Sequence, residues 1–203
     1  ALIEAYVECA LLYEELGKPR KARQEYTRAF RIAPASPIVN YNLGSLLFDQ
    51  GRYSEALSHF RRVLRADPTH APSWDYLGLI AEKRGDLKKE LDAHKRAAVL
   101  APWDTKFINN VGYTFLKMGV LTKALRCLNY AIQLDPTNDV AYYNLALACY
   151  GMRNHTAAIR NLALAIRYNP ANRACLRNSK EFKEIRECHS FKMLLRGERR
   201  NQV

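Results

Sequence analysis

The chain has 203 residues, 48% of them hydrophobic and 26% charged, with five Cys, eight Pro and nine Gly. This balance suits a folded protein and excludes both a disordered tail and a cysteine-stapled miniprotein. The formal charge is +12, and +8 of that excess falls within residues 151–203, which points to an acidic or polyanionic partner near the C-terminal end.

The chain reads as helices in register. Pro34, Pro68, Pro102, Pro136 and Pro170 follow one another at intervals of 34 residues, and Gly17, Gly51, Gly85 and Gly119 keep the same interval. Arg153 stands at the fifth glycine position. Each glycine is expected to end a first helix, because a residue without a β-carbon enters the left-handed conformation at little cost. Each proline closes a second helix, near Arg31 to Ala33, Arg65 to Asp67 and Leu134 to Asp135, since it lacks an amide proton and its ring clashes upstream. Within a unit, Tyr41, Leu43, Gly44, Leu47 and Phe48, then Ala56, Phe60, Val63 and Leu64, recur at helical spacing and form one apolar stripe per helix. Ser36, Thr69 or Ser73, Thr105, and Asn138 or Asp139 are the expected N-caps. The predicted units are approximately 1–34, 35–68, 69–102, 103–136 and 137–170.

Small residues recur where paired helices must approach: Ala10, Gly44, Gly78, Gly112 and Ala146 on first helices, and Ala22, Ala56, Ala124 and Ala158 on second ones, with Glu90 the exception. Tyr13, Leu47, Phe115 and Cys149, and Tyr26, Phe60, Leu128 and Leu162, are expected to fill the gaps beside them. His94 falls at a packing position. The remaining segment, 171–196, departs from the repeat. A helix beginning near Arg173, with Phe182, Ile185, Cys188, Phe191, Met193, Leu194 and Leu195, reads as a cap over the last apolar face. Residues 197–203 are expected to fray.

Trp74, Leu77, Gly78 and Pro102 in the third unit carry a known pattern. So do Leu43, Gly44, Gly51, Tyr53, Ala56, Phe60 and Pro68 in the second, and Gly112, Phe115, Gly119, Ala124, Ala131 and Pro136 in the fourth. The chain thereby resembles the tetratricopeptide repeat family over residues 1–170. The resemblance implies an all-α, right-handed superhelical solenoid of antiparallel helix pairs with a C-terminal capping helix, its first helices lining a concave groove. It further implies a noncatalytic scaffold or adaptor, acting in complex assembly, that binds a peptide or protein segment there.

Projected on that geometry, the groove residues are Tyr41, Asn42, Tyr76, Lys106, Asn110, Tyr113, Tyr143, Asn144 and Leu147. Asn can bond both donors and acceptors of an extended peptide, and Tyr adds rigid contact area. Some family members clamp a terminal carboxylate. Asn42, Lys106, Asn110 and Asn144 match that arrangement in part, but Tyr76 does not, and a complete clamp is not expected.

An alternative reading is a polyanion- or RNA-binding accessory protein using Arg160, Arg167, Arg173, Arg177, Lys180, Lys183 and Arg186, although no nucleic-acid module accompanies them. Groove-mediated self-association into a homo-oligomer is a third reading. Catalysis is not expected. His59, His70, His94, His155 and His189 fall at different phases of the repeat, and no H-E-x-x-H, C-x-x-C or Gly-rich phosphate loop occurs. No metal or cofactor is expected either. The single cysteines read as buried reduced thiols, favouring the cytoplasm or another reducing compartment. No apolar run approaches the roughly 18 residues of a transmembrane segment, and the start lacks signal-peptide form.

Overall fold

The computed structural model describes residues 2–197 and divides into two compact units between Ala101 and Pro102. The expectation of fraying lies, from residue 198 onward, outside the described residues. Among the described residues the secondary structure is helical throughout.

The first unit contains α1 (Leu2–Glu15), α2 (Pro19–Ile32), α3 (Pro37–Asp49), α4 (Tyr53–Ala66), α5 (Ala71–Lys83) and α6 (Leu87–Leu100). The connections are short, so successive helices fold back on one another, α1 on α2, α3 on α4 and α5 on α6. In the second unit α7 (Thr105–Lys117) pairs with α8 (Leu121–Leu134), and α9 (Asp139–Gly151) with α10 (His155–Tyr168). There follow α11 (Asn172–Asn178), a 3₁₀ turn (Lys183–Ile185) and α12 (His189–Arg196).

Every first helix ends in the same way. The amide of Gly51 donates to the Phe48 carbonyl at 2.9 Å and the amide of Arg52 to Leu47 at 2.8 Å, and the turns at Gly17, Gly85 and Gly119 repeat this pair of bonds. The glycines sit at φ of +64 to +74°. At the fifth turn Arg153 takes φ 61° and keeps both bonds, so the repeat geometry is held without its glycine.

The second helices end as the prolines require, at Ile32, Ala66, Leu100, Leu134 and Tyr168. Asp67 Oδ1 accepts from the Thr69 amide at 2.9 Å and from its hydroxyl at 2.6 Å, and Asp135 does the same with Thr137. These bonds fix the chain across the proline before the next helix begins.

The N-caps differ in part from expectation. Asn138 caps α9, accepting from Ala141 at 2.9 Å. Ser36 makes no side-chain cap bond, His70 caps α5 by accepting from the Ser73 amide, and Asp104 rather than Thr105 precedes α7. Pro37 and Pro72 occupy first-turn positions, where one fewer amide needs a partner.

The small–large alternation builds the interior. Ala10, Ala22, Ala56, Ala124, Ala146 and Ala158 are fully buried, as are Tyr26, Phe60, Leu128 and Leu162. Gly78 shows how close the approach is, since a β-carbon there would stand 2.5 Å from the His94 ring. His94 replaces the Tyr, Phe or Leu of the other units, and its Nδ1–H donates to Asp75 Oδ1 at 3.0 Å, both groups being buried. Glu90, the exception among the small residues, is buried beside it on α6.

The cysteines correct the expectation of buried thiols: Cys9, Cys175 and Cys188 are exposed, and Cys127 and Cys149 half-buried. Ala10 and Leu176, the next residues along, already point inward, and the roughly 100° step of a helix turns Cys9 and Cys175 away from the interior.

Candidate functional site

The face made by α3 and α5 in the first unit carries an aromatic cluster. Tyr76 stacks on Phe60 with ring centroids 4.5 Å apart, and its edge contacts reach Tyr41 at 6.0 Å and Phe48 at 5.3 Å. Its hydroxyl lies 2.6 Å from Ser45 Oγ, which ties α5 to α3. Tyr41 and Asn42 are half-buried beside it. The rings are thus fixed by packing and present rigid edges, while Asn42 brings an amide to the same surface.

Below this face the polar interior is orderly. Asn40 Nδ2 donates to the carbonyls of Pro34 and Ser36, so its Oδ1 accepts from His59 Nδ1–H at 2.9 Å. Burial, reinforced by nearby Arg62, pushes the His59 imidazole below its ordinary value.

In the second unit α7 brings Lys106, exposed, together with half-buried Asn110 and Tyr113. Lys106 and Asn110 lie one turn apart, and Lys117 Nζ sits 5.2 Å from the centre of the Tyr113 ring.

The expected contacts on α9 are corrected. Asn144 is buried and donates to Asn109 Oδ1 at 3.1 Å, so it joins α9 to α7 and does not face a ligand. Tyr143 and Leu147 are covered by the chain's own C-terminal segment. Tyr143 donates its hydroxyl proton to Glu181 Oε2 at 2.6 Å, and Leu147 packs into the cluster of Leu176, Phe182, Ile185 and Phe191. Phe182 meets Tyr143 and Tyr150 edge-on, at 6.0 and 5.3 Å, and the Glu184 amide donates to the Tyr150 hydroxyl. Burial, with the Glu181 hydrogen bond second, pushes the Tyr143 phenol up to about 12. Cap residues Glu181 and Glu184 escaped the sequence reading because no periodicity marks a segment that is mostly turn. Phe182, Ile185 and Phe191 gave the signal for burial without the place.

The basic field divides. Arg177 donates to the Leu195 carbonyl at 3.0 Å, and Arg186 donates to the carbonyls of Ser179 and Arg177, so both brace the C-terminal segment through neutral partners that leave their charge in place. Arg173 is half-buried against Gly197. Arg160, Arg167, Lys180 and Lys183 are exposed. Among the described residues no cluster of three or more His, Cys, Asp and Glu is placed to hold a metal ion, and no helix is long and apolar enough to cross a membrane.

Comparison with known proteins supports the helical repeat fold. Residues 9–71 match a tetratricopeptide repeat model, 112–152 a TPR repeat model and 140–172 a second tetratricopeptide repeat model. Among curated relatives, a probable biofilm formation methyltransferase WspC of Pseudomonas putida is 34% identical over 82 residues, 40% of this chain and 19% of that protein. A heat-shock protein cognate co-chaperone sgt12 of Aspergillus fumigatus is 30% identical over 76 residues, 37% of this chain and 22% of that protein. The chain therefore spans less than a quarter of the length of either.

Among solved structures, MamA of Desulfovibrio magneticus RS-1 superposes with a TM-score of 0.74 at 20% identity, covering 84% of this chain and 98% of that one. YrrB, described as a TPR protein with an unusual peptide-binding site, gives 0.66 at 24% identity, covering 85% and 89%. PilF of Pseudomonas aeruginosa gives 0.71 at 18%, covering 91% and 96%. The repeated turns, the small–large interior and these matches lead to one conclusion: the chain belongs to the tetratricopeptide repeat family.

Proposed function

We propose that the chain is a protein-interaction scaffold that binds a peptide or protein segment on the faces of its first helices. The observation that carries this reading is the fixed aromatic and amide surface of Tyr41, Asn42 and Tyr76 on α3 and α5 of the first unit; in the second unit, taken by itself, Lys106, Asn110 and Tyr113 on α7 offer a further set of the same kind. Rigid rings lose little side-chain entropy on binding, and preformed surfaces avoid an ordering cost. The description of YrrB as peptide-binding supports such a use of the fold. Tyr143, Asn144 and Leu147 are left out of the binding set, because the cap and the Asn109 bond engage them.

Affinity capture with the wild-type chain beside an Asn42→Ala, Lys106→Ala variant tests this, with circular dichroism confirming equal helicity. Loss of a captured protein from the variant is expected. An unchanged profile refutes the reading. Recovery of nucleic acid in a strongly salt-dependent manner, lost on substitution of Arg160, Arg167, Lys180 and Lys183, would favour the polyanion alternative instead. A second copy of the chain as the captured protein would favour self-association.

A further inference from the structure

A cleft of about 480 Å³ opens in the first unit between α4 and α6, floored by α5, and none of the residues proposed above lines it. The repeat register explains why it is there. One unit earlier, the positions of Ala81 and Ala93 are held by the larger Leu47 and His59, both buried, His59 locked by its bond to Asn40. Reduction to two methyl groups leaves the side chains of Leu57, Leu77 and Ile80 as an apolar floor.

The wall and rim are cationic. Trp74 is fixed by donation from Nε1 to the Pro68 carbonyl at 2.8 Å, and the Arg96 guanidinium lies 4.5 Å from its ring centroid. Arg84 reaches Ser54 Oγ at 3.1 Å, a neutral partner that leaves its charge in place. Lys89 and Asp86 pair at 2.7 Å and cancel. The lining then sets the guanidinium groups of Arg61, Arg84 and Arg96 against the one carboxylate of Asp92. An apolar floor of this volume accepts a bulky side chain, and the surplus positive rim selects for neighbouring anions.

We propose that this cleft binds an acidic peptide segment, which inserts a bulky apolar side chain beside Trp74 and sets its carboxylates against Arg61, Arg84 and Arg96. Neither Asn42 nor Lys106 lines the cleft, and their substitution leaves it unaltered.

The test uses a peptide in which a pair of leucines is flanked by glutamates, titrated into the chain carrying Trp103→Phe, so that Trp74 alone reports. Trp103 is exposed and its replacement leaves the interior untouched. Saturable change in Trp74 emission is expected, lost when the leucines are replaced by serine or the glutamates by lysine. Arg61→Glu with Arg84→Glu should weaken binding roughly tenfold, as the loss of two partly screened rim pairs would give. Ala93→Leu, which restores a large side chain at the emptied position, should abolish it. If that variant unfolds by circular dichroism, the exposed-arginine variant decides alone. Absence of saturable binding, or binding unchanged by the charge reversal, overturns the proposal. So does an oligouridylate that alters Trp74 emission where the peptide does not, since the cations would then serve phosphate.

Discussion

Phe182→Ala should release the C-terminal segment from α9 while the first unit stays folded. The Phe182 ring is fully buried between Tyr143, Tyr150 and Phe191. Removing on the order of 200 Å² of aromatic surface at about 25 cal/mol per Å² gives an upper bound of about 5 kcal/mol. Core truncations of Phe cost about 3–5 kcal/mol. Docking of the segment is the difference between burial of Phe182, Ile185 and Phe191 and the ordering of its backbone, at about 1–2 kcal/mol per residue. A loss of this size exceeds so small a surplus. Hydrogen–deuterium exchange is the assay: peptides spanning 179–197 and 143–150 should lose protection in the variant, with those of α1 to α6 unchanged. Phe182→Leu, which keeps most of the volume, should retain protection. If 179–197 stays protected in Phe182→Ala, or if all twelve α-helices lose protection together, the inference that the segment is a separable cover on α9 is wrong.

Other outcomes follow from the same geometry. The Tyr143 phenol, raised to about 12 by burial and the Glu181 bond, contributes stability that is complete below the ordinary phenol value near 10 and lost as pH rises through about 12. Alkaline titration followed by exchange at 179–197 should show opening in that window, and Tyr143→Phe should remove it. His94→Leu leaves the Asp75 carboxylate buried without its imidazole donor and should cost about 3–5 kcal/mol in urea unfolding, whereas Asp75→Leu with His94→Leu should recover most of that loss. Gly51→Ala, at φ +74° in open space, should cost about 1 kcal/mol from backbone strain alone.

Much of the architecture was legible because the repeat states it several times. Proline and glycine at fixed intervals mark helix ends by local stereochemistry, and the structure ends the helices there. Small and large residues alternate by position, so Ala56 and Phe60, or Ala124 and Leu128, could be placed inside before any contact was known. Caps were less legible, since Ser36 makes no side-chain cap bond while His70, at the same position one unit later, does. The site was legible only in part. Helical phase brings Tyr41, Asn42 and Tyr76 together on one face, but phase alone says nothing of what lies over that face. On α9 the cover is a nonrepeating segment whose Phe182 and Glu181 occupy the space beside Tyr143, and Asn144 turned inward because Asn109 offered it a partner. The arginines show the same limit, for Arg177 and Arg186 carry charge into backbone bonds that only the fold of the cap creates.

Photo-crosslinking tests the central claim, that first-helix faces receive the partner, most directly. A benzophenone side chain placed at Asn42 or Asn110 should yield adducts with a captured protein. The same group at Arg28 on α2 or Arg126 on α8, both exposed on second helices, should yield none with that protein. Adducts arising from Arg28 and Arg126 and absent from Asn42 and Asn110 would contradict the account.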